Sequence, residues 1–139
     1  MIVVDCSALV MFLTDSGTVG QRVRARVGRE DVLHVPYLLD TEIASALLGM
    51  ARGIRGGTPK LSQTELEHHV KTLEKIPLRR HATGPLLPRI RVLHANLSAY
   101  DATYVALAET LGVPLVTTDA RIKRGAPSTR CPIEVITAD

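Results

Sequence analysis

The sequence predicts an α/β fold with a central parallel sheet, and two kinds of pattern predict it. Short apolar runs without polar alternation, Ile2-Val3-Val4 and Val113-Pro114-Leu115-Val116, suit strands buried on both faces, as parallel strands are. Between such runs lie segments with helical apolar spacing, so strands and helices alternate. That alternation implies right-handed crossovers with helices on both faces of the sheet. Both apolar runs end in carboxylates, Asp5 directly and Asp119 after two hydroxyls. In open α/β sheets, ligands bind beyond the carboxyl ends of the strands.

Taken in order, Ile2 to Val4 is the first strand and Ser7 to Leu13 a short helix, closed by Thr14-Asp15-Ser16-Gly17. Thr18 to Val27 carries Val19, Val23 and Val27 on one face and arginines elsewhere, an amphipathic helix ended by Gly28. Asp31 to Val35 is the second strand, and Pro36 suits the start of a helix. The next helix runs from about Leu38 to Ile54 and is so apolar that it is expected to be largely buried. Arg55 to Lys60 is a glycine- and proline-bearing loop. Ser62 and Glu65 then form a capping-box pattern opening a polar helix to about Lys75.

Ile76 to Ala82 reads as a weak third strand, placed at an edge by Pro77 and the run Arg79-Arg80-His81. Gly84 to Asn96 is expected to be helical despite Pro85 and Pro88. Ser98 opens another helix, strongly apolar from Ala102 to Leu111 and stopped by Gly112. Val113 to Asp119 repeats the opening design, and Ile133 to Ile136 is the last strand. No repeat, linker or low-complexity tract interrupts the chain, so one domain over residues 1–139 is expected.

Composition narrows the function classes. Apolar residues make up 45%, which is ordinary for a folded globular protein. No window is apolar enough to span a membrane, and the start lacks the basic region of a signal peptide, so a cytoplasmic protein is expected. Cys6 and Cys131 lack the spacing of a zinc site. The net charge of +3 permits a polyanionic partner without requiring one. No Gly-x-x-x-x-Gly-Lys-Ser/Thr stretch supports a nucleotide-binding loop.

The carboxylates carry the chemistry. Glu42 sits inside an apolar helix, where an isolated ionised carboxylate costs several kcal/mol. It needs a cation, either a paired arginine or a metal. Asp40 lies about 200° around the same helix and suits the first-turn role facing the helix dipole. Asp5, Asp101 and Asp119 each have a local alternative: Asp5 as a helix cap, Asp101 as the acidic member of a capping box, Asp119 as a turn residue or cap. Yet Asp5, Glu42, Asp101 and Asp119 all fall where one sheet rim gathers them. Clustered carboxylates repel unless protonated or joined by a cation. Oxygen-only donors point to a hard ion, Mg²⁺ or Mn²⁺. Such an ion suits in-line hydrolysis of a phosphodiester, with the Ser7, Thr117 and Thr118 hydroxyls capping the local chain or orienting a ligand.

Several fragments together resemble the PIN-domain ribonucleases: Asp5-Cys6-Ser7-Ala8-Leu9-Val10, Glu42 in its apolar helix, Tyr100-Asp101-Ala102-x-Tyr104-Val105-Ala106-Leu107-Ala108-Glu109, and Leu115-Val116-Thr117-Thr118-Asp119-x-Arg121-Ile122. Within that family the VapC toxins are the most similar branch. The resemblance implies a PIN-like three-layer α/β/α sandwich. It also implies an acidic metal site of Asp5, Glu42, Asp101 and Asp119, with Thr117 as the hydroxyl before the last acid. It further implies cleavage of RNA, often structured RNA such as tRNA, a tendency to homodimerise, and a cognate antitoxin that wraps the toxin and blocks its acidic pocket. Cys6 stands where a small or hydroxyl residue is common. Lys123 and Arg124 stand where some relatives carry another carboxylate, which counts against a fifth ligand and a tightly held second metal.

An acidic pocket repels phosphate, so a basic rim is needed to hold an RNA backbone. Arg121, Lys123 and Arg124 follow Asp119 most closely; Arg52, Arg55, Lys60, Arg79 and Arg80 are further candidates. Aromatic residues are only 3%, which argues against a base-stacking platform. The competing readings are a phosphatase with Asp5 as nucleophile, disfavoured by Ser7 two residues on, and a PIN-like module that binds RNA or protein without cleaving.

Overall fold

The computed structural model describes residues 1–53 and 55–139. Ile54, where the third expected helix was to end, lies outside the described residues. The central sheet has strands β1 (Ile2–Val4), β2 (Leu33–Pro36), β3 (Leu78–His81), β4 (Leu115–Thr117) and β5 (Ile133–Val135). Every pairing is parallel and the spatial order is β3-β2-β1-β4-β5. The central strands β1 and β4 are wholly buried, which is why their sequences show no alternation. β3 forms one edge, where Pro77 just outside it and its exposed Arg79 and Arg80 are tolerated.

The helices are α1 (Cys6–Thr14), α2 (Thr18–Val27), α3 (Leu38–Arg52), α4 (Gln63–Lys75), α5 (Leu87–Leu93), α6 (Ala99–Leu111) and α7 (Ala120–Gly125). From β1 the strand order steps outward through β2 to β3, then returns across β1 to β4 and on to β5. With right-handed crossovers, α1–α4 therefore cover one face and α5–α7 the other. The expected three-layer α/β/α arrangement is the one observed. α6 is its innermost helix: every residue from Ala102 to Ala108 is buried, and it packs on β1, β2 and β4. Gly112 ends it at φ +67°, a left-handed cap that a side chain would strain.

Several boundaries differ from the sequence-based expectation for identifiable reasons. Pro36 does not start a helix but closes β2 opposite His81, and α3 begins at Leu38. Proline is acceptable at a strand end because the ladder there needs no N–H from it. The segment expected to be one helix from Gly84 splits into a 3-10 turn at Gly84–Leu86 and α5, with a proline in the first turn of each. The expectation that α3 is largely buried is corrected: only Leu39, Ile43, Leu47 and Ala51 are buried, one stripe, while Thr41, Ala44, Ser45 and Leu48 face out. Its outward face is apolar because small residues and Leu48 occupy it, not because it is covered. The Ser62–Glu65 capping box is present in both directions.

The last turn of α6 is tied down by a carboxylate outside the rim. Glu109 accepts two hydrogen bonds from the Arg89 guanidinium (2.7 and 3.0 Å) and one from the Arg130 N–H (2.7 Å). Burial by itself would raise its pKa, but Arg89, the Arg130 amide and the Thr129 hydroxyl outweigh that and hold it below the ordinary 4.5. Glu109→Gln is expected to lower the unfolding free energy by about 1–3 kcal/mol in denaturant titrations. A carboxylate with a depressed native pKa contributes stability that is complete above its unfolded value and lost as pH falls through the native one. The difference between wild type and Glu109→Gln is therefore expected to shrink as pH drops below about 4.5.

Candidate active site

β1 and β4 are neighbours although three helix-bearing crossovers separate them in sequence, and the strand order reverses between them. Such a reversal opens a crevice beyond the strands' carboxyl ends. Asp5 leaves β1 at that point. Its backbone is extended, and its carboxylate caps α1 by accepting from the Ala8 N–H (2.9 Å). The same carboxylate reaches across to β4, accepting from the Thr117 hydroxyl (2.5 Å) and also from the Ser7 hydroxyl (2.8 Å). Ser7 in turn accepts from the Thr118 N–H (3.1 Å), and Thr117 from the Asp119 N–H (3.0 Å). The capping role of Asp5 and its place at the rim are thus both real. Burial pushes Asp5 up to about 6, against the opposing pull of the Thr117, Ala8 and Ser7 hydrogen bonds.

The other acids arrive from α6, α3 and the turn that caps α7. Asp101 is the third residue of α6, whose Ser98 cap accepts from the Asp101 N–H (3.1 Å). Its carboxyl is raised by burial and by the charge of Asp119, and is not engaged in a reciprocal capping box. Glu42 lies on the second turn of α3, raised by burial and by Asp101. Asp119 caps α7 through the Arg121 N–H (2.9 Å) and is clasped by the Arg121 guanidinium, which holds its pKa below the ordinary value. All four carboxylates, with Ser7, line one cavity of about 430 Å³.

The structure supplies partners that the sequence left open. Glu42 has no arginine partner among the described residues; the Tyr104 hydroxyl donates to its Oε1 at 2.5 Å. Tyr104 belongs to the PIN-like stretch, but sequence reasoning assigned it no role, although a tyrosine three residues past Asp101 in an apolar helix carries the signal. A buried phenol needs a polar partner, and residues three apart share a helix face. Arg121, expected on the RNA rim, is engaged by Asp119, while Lys123 and Arg124 are exposed on the last turn of α7. Arg80, a further basic candidate, is held bidentately by Asp40 (2.7 and 2.8 Å).

The donor set is chemically coherent. The polar groups lining the cavity are carboxylates and hydroxyls, with the Cys6 thiol, which burial and the charges of Glu42 and Asp5 push up to about 12. Among the described residues, no three His, Cys, Asp or Glu side chains close on a single point, and Asp5, Glu42 and Asp119 each hold a hydrogen bond, to Thr117, Tyr104 and Arg121 respectively. What remains is a basin of oxygen donors, with Asp5, Glu42 and Asp101 raised chiefly by burial and Asp119 lowered by Arg121, the set suited to a hard divalent cation.

The comparison with known families decides the placement. The family model described as "PIN domain" matches residues 2–126. The chain belongs to the PIN-domain family. Among curated PIN-domain relatives, the VapC ribonuclease Mb0985 of Mycobacterium bovis is 40% identical over 136 residues, covering 98% of each chain. Ribonuclease VapC3 of Mycobacterium tuberculosis is 36% identical, over 91% of this chain and 88% of its own. Among solved structures, PAE2754 from Pyrobaculum aerophilum superposes with a TM-score of 0.69 at 25% identity, over 96% of this chain and 83% of that one. FitAcB from Neisseria gonorrhoeae shares the fold, with a TM-score of 0.61 at 17% identity over 96% of both chains. Asp5, Glu42, Asp101 and Asp119 all fall within the span matched to the PIN domain.

Gathering like charges costs stability, so removing one from the metal-free protein is expected to help folding. Asp101→Asn, which keeps the shape and breaks no carboxylate hydrogen bond to β1 or β4, is expected to raise the unfolding free energy in chelator by about 0.5 kcal/mol, small because solvent screens this half-buried group. A denaturant titration showing Asp101→Asn clearly less stable than wild type would contradict the charge-crowded basin.

Proposed function

We propose that this chain is a divalent-metal-dependent endoribonuclease and the toxin half of a VapBC-type toxin–antitoxin pair. The observation that carries the reading is the joining of four carboxylates, from the end of β1 where Asp5 caps α1, from α3, from α6 and from the turn before α7, around one cavity at the strand-order reversal of a PIN fold. The curated relatives named as VapC ribonucleases support the reaction class.

Asp5 and Asp101 would be the principal ligands of Mg²⁺ or Mn²⁺, with Glu42 and Asp119 completing the set. When bound, the ion supplies Lewis-acid polarisation of a phosphoryl oxygen and activation of water for in-line phosphodiester hydrolysis. The chain's own residues do the positioning. Thr117 and Ser7 immobilise both Asp5 oxygens, so that this carboxylate cannot swing onto solvent. Arg121 offsets the charge of Asp119 and reaches Asp101 electrostatically, which softens the repulsion felt by an arriving phosphate. Lys123 and Arg124, exposed beyond it, would hold the RNA backbone as it crosses the rim.

The substrate would be RNA, including structured RNA such as tRNA, recognised mainly by backbone and shape. The cognate antitoxin would cover the acidic cavity, and the exposed apolar residues Tyr37, Leu48 and Tyr100 support a protein-docking face. A homodimer is part of the same proposal, as is a cytoplasmic location. Among the described residues, no helix is long and apolar enough to cross a membrane.

Purified protein is expected to cleave RNA with Mg²⁺ or Mn²⁺ and to lose cleavage in EDTA. Asp5→Asn and Asp101→Ala are each expected to lower the rate at least about 100-fold while remaining folded, and expression of Asp101→Ala is expected to spare cells from growth arrest. Equal arrest by wild type and Asp101→Ala would remove the mechanism. RNA affinity, measured with Asp101→Ala to prevent cleavage, is expected to fall with salt. Replacing Lys123 and Arg124 by glutamine is expected to shallow the log–log slope by about 0.7 per lost single-strand phosphate contact.

A further inference from the structure

We infer that Tyr104 is a positioning residue for the acidic site, its hydroxyl aiming Glu42 toward the cavity that Asp5 and Asp101 share. The inference rests on the metal-site reading above and adds a residue that carries no charge of its own.

Three observations converge on it. Tyr104 is 1% exposed, yet its hydroxyl donates to Glu42 Oε1 at 2.5 Å, a contact between side chains 62 positions apart in the chain. A phenol donating to a carboxylate at that distance makes a charge-assisted hydrogen bond, stronger and more directional than a neutral one. Second, Tyr104 and Asp101 stand three residues apart on α6, so they share one helix face and both line the acidic cavity. α6 therefore delivers one carboxylate directly and steers a second one through the phenol. Third, Glu42 has no other side-chain hydrogen-bond partner among the described residues, so the phenol is the one polar contact that fixes where its carboxylate points. With Oε1 occupied by the phenol, Oε2 is the oxygen left for a ligand.

The alternative is that Tyr104 merely fills the core and satisfies its hydroxyl on a convenient acid. The two roles separate cleanly. In a structural role, Tyr104→Phe loses a modest amount of stability and nothing else. In a positioning role, Glu42 is released to rotate, and divalent-ion affinity falls with it, as it does when the supporting partner of a metal ligand is removed.

The experiment measures Mn²⁺ binding to the RNA-free full chain, by counting free Mn²⁺ with electron paramagnetic resonance. The proteins compared are wild type, Tyr104→Phe, Glu42→Gln and the double variant. Tyr104→Phe is expected to weaken Mn²⁺ affinity about tenfold and to lower kcat for RNA with KM unchanged. The double variant is expected to match Glu42→Gln, because the phenol acts only through that carboxylate. Unchanged Mn²⁺ affinity in Tyr104→Phe overturns the inference, as do losses that simply add in the double variant.

A second measurement leaves Tyr104 intact. The chain has no tryptophan and three tyrosines, of which Tyr37 and Tyr100 are exposed. In the variant with both of those replaced by phenylalanine, Mg²⁺ is expected to change the fluorescence of Tyr104 saturably, and a flat titration overturns the inference. Failure of the wild type to bind Mn²⁺ at all would sink the metal reading together with this one. Wild-type binding and cleavage with an indifferent Tyr104→Phe would sink this one alone.

Discussion

The hydrogen bond between Thr117 and Asp5 holds the site together. It links the carboxyl ends of two strands that lie 112 positions apart in the chain but side by side in the sheet. Thr117 is wholly buried, and its single hydroxyl donates to Asp5 and accepts from the Asp119 backbone. One small side chain thereby sets where the first acid points and where the last one leaves the sheet. Ser7 repeats the device from the other side, tying Asp5 to the backbone of Thr118. Because every one of these groups is satisfied internally, the carboxylate is held in place at the moment of folding and not on arrival of a ligand.

That rigidity keeps four negative groups around one basin, and the fold distributes the cost unevenly. Asp119 is neutralised by Arg121 and stays readily ionised. Asp5, Glu42 and Asp101 are burdened by burial first, and Asp101 raises both of the others. Groups whose ionisation is opposed in this way mark functional sites more often than structural ones, since a core under selection for stability alone would replace them with apolar residues. The contrast with Glu109 is instructive. It is also a carboxylate near the end of α6, but Arg89 and a backbone N–H lower its pKa, and it acts as a structural fastener.

Much of the site was legible in the residues alone because each acid breaks a local pattern. Asp5 and Asp119 end apolar strands, and Glu42 interrupts a helix stripe; such breaks appear without knowledge of contacts. The partners were not legible. That Glu42 meets a tyrosine and no arginine, and that Arg121 closes on Asp119, depend on distances between segments whose spacing in sequence says nothing about their spacing in the fold. The burial of α3 was misjudged for a related reason. Apolar composition reports which residues tolerate burial, whereas the neighbours actually present decide which side is covered, and Leu48 is left facing out.

The sequence by itself determined the layer type and the order of elements. Non-alternating β-branched runs suit only strands covered on both faces, and the helical spacing between them leaves parallel crossovers as the economical connection. It also determined which side chains have the chemistry to bind a hard cation. Only the tertiary structure decided that β4 returns beside β1, because strand order is chosen by packing between distant segments. That one adjacency makes a reversal point, brings Thr117 to Asp5, and turns carboxylates scattered along the chain into a single basin.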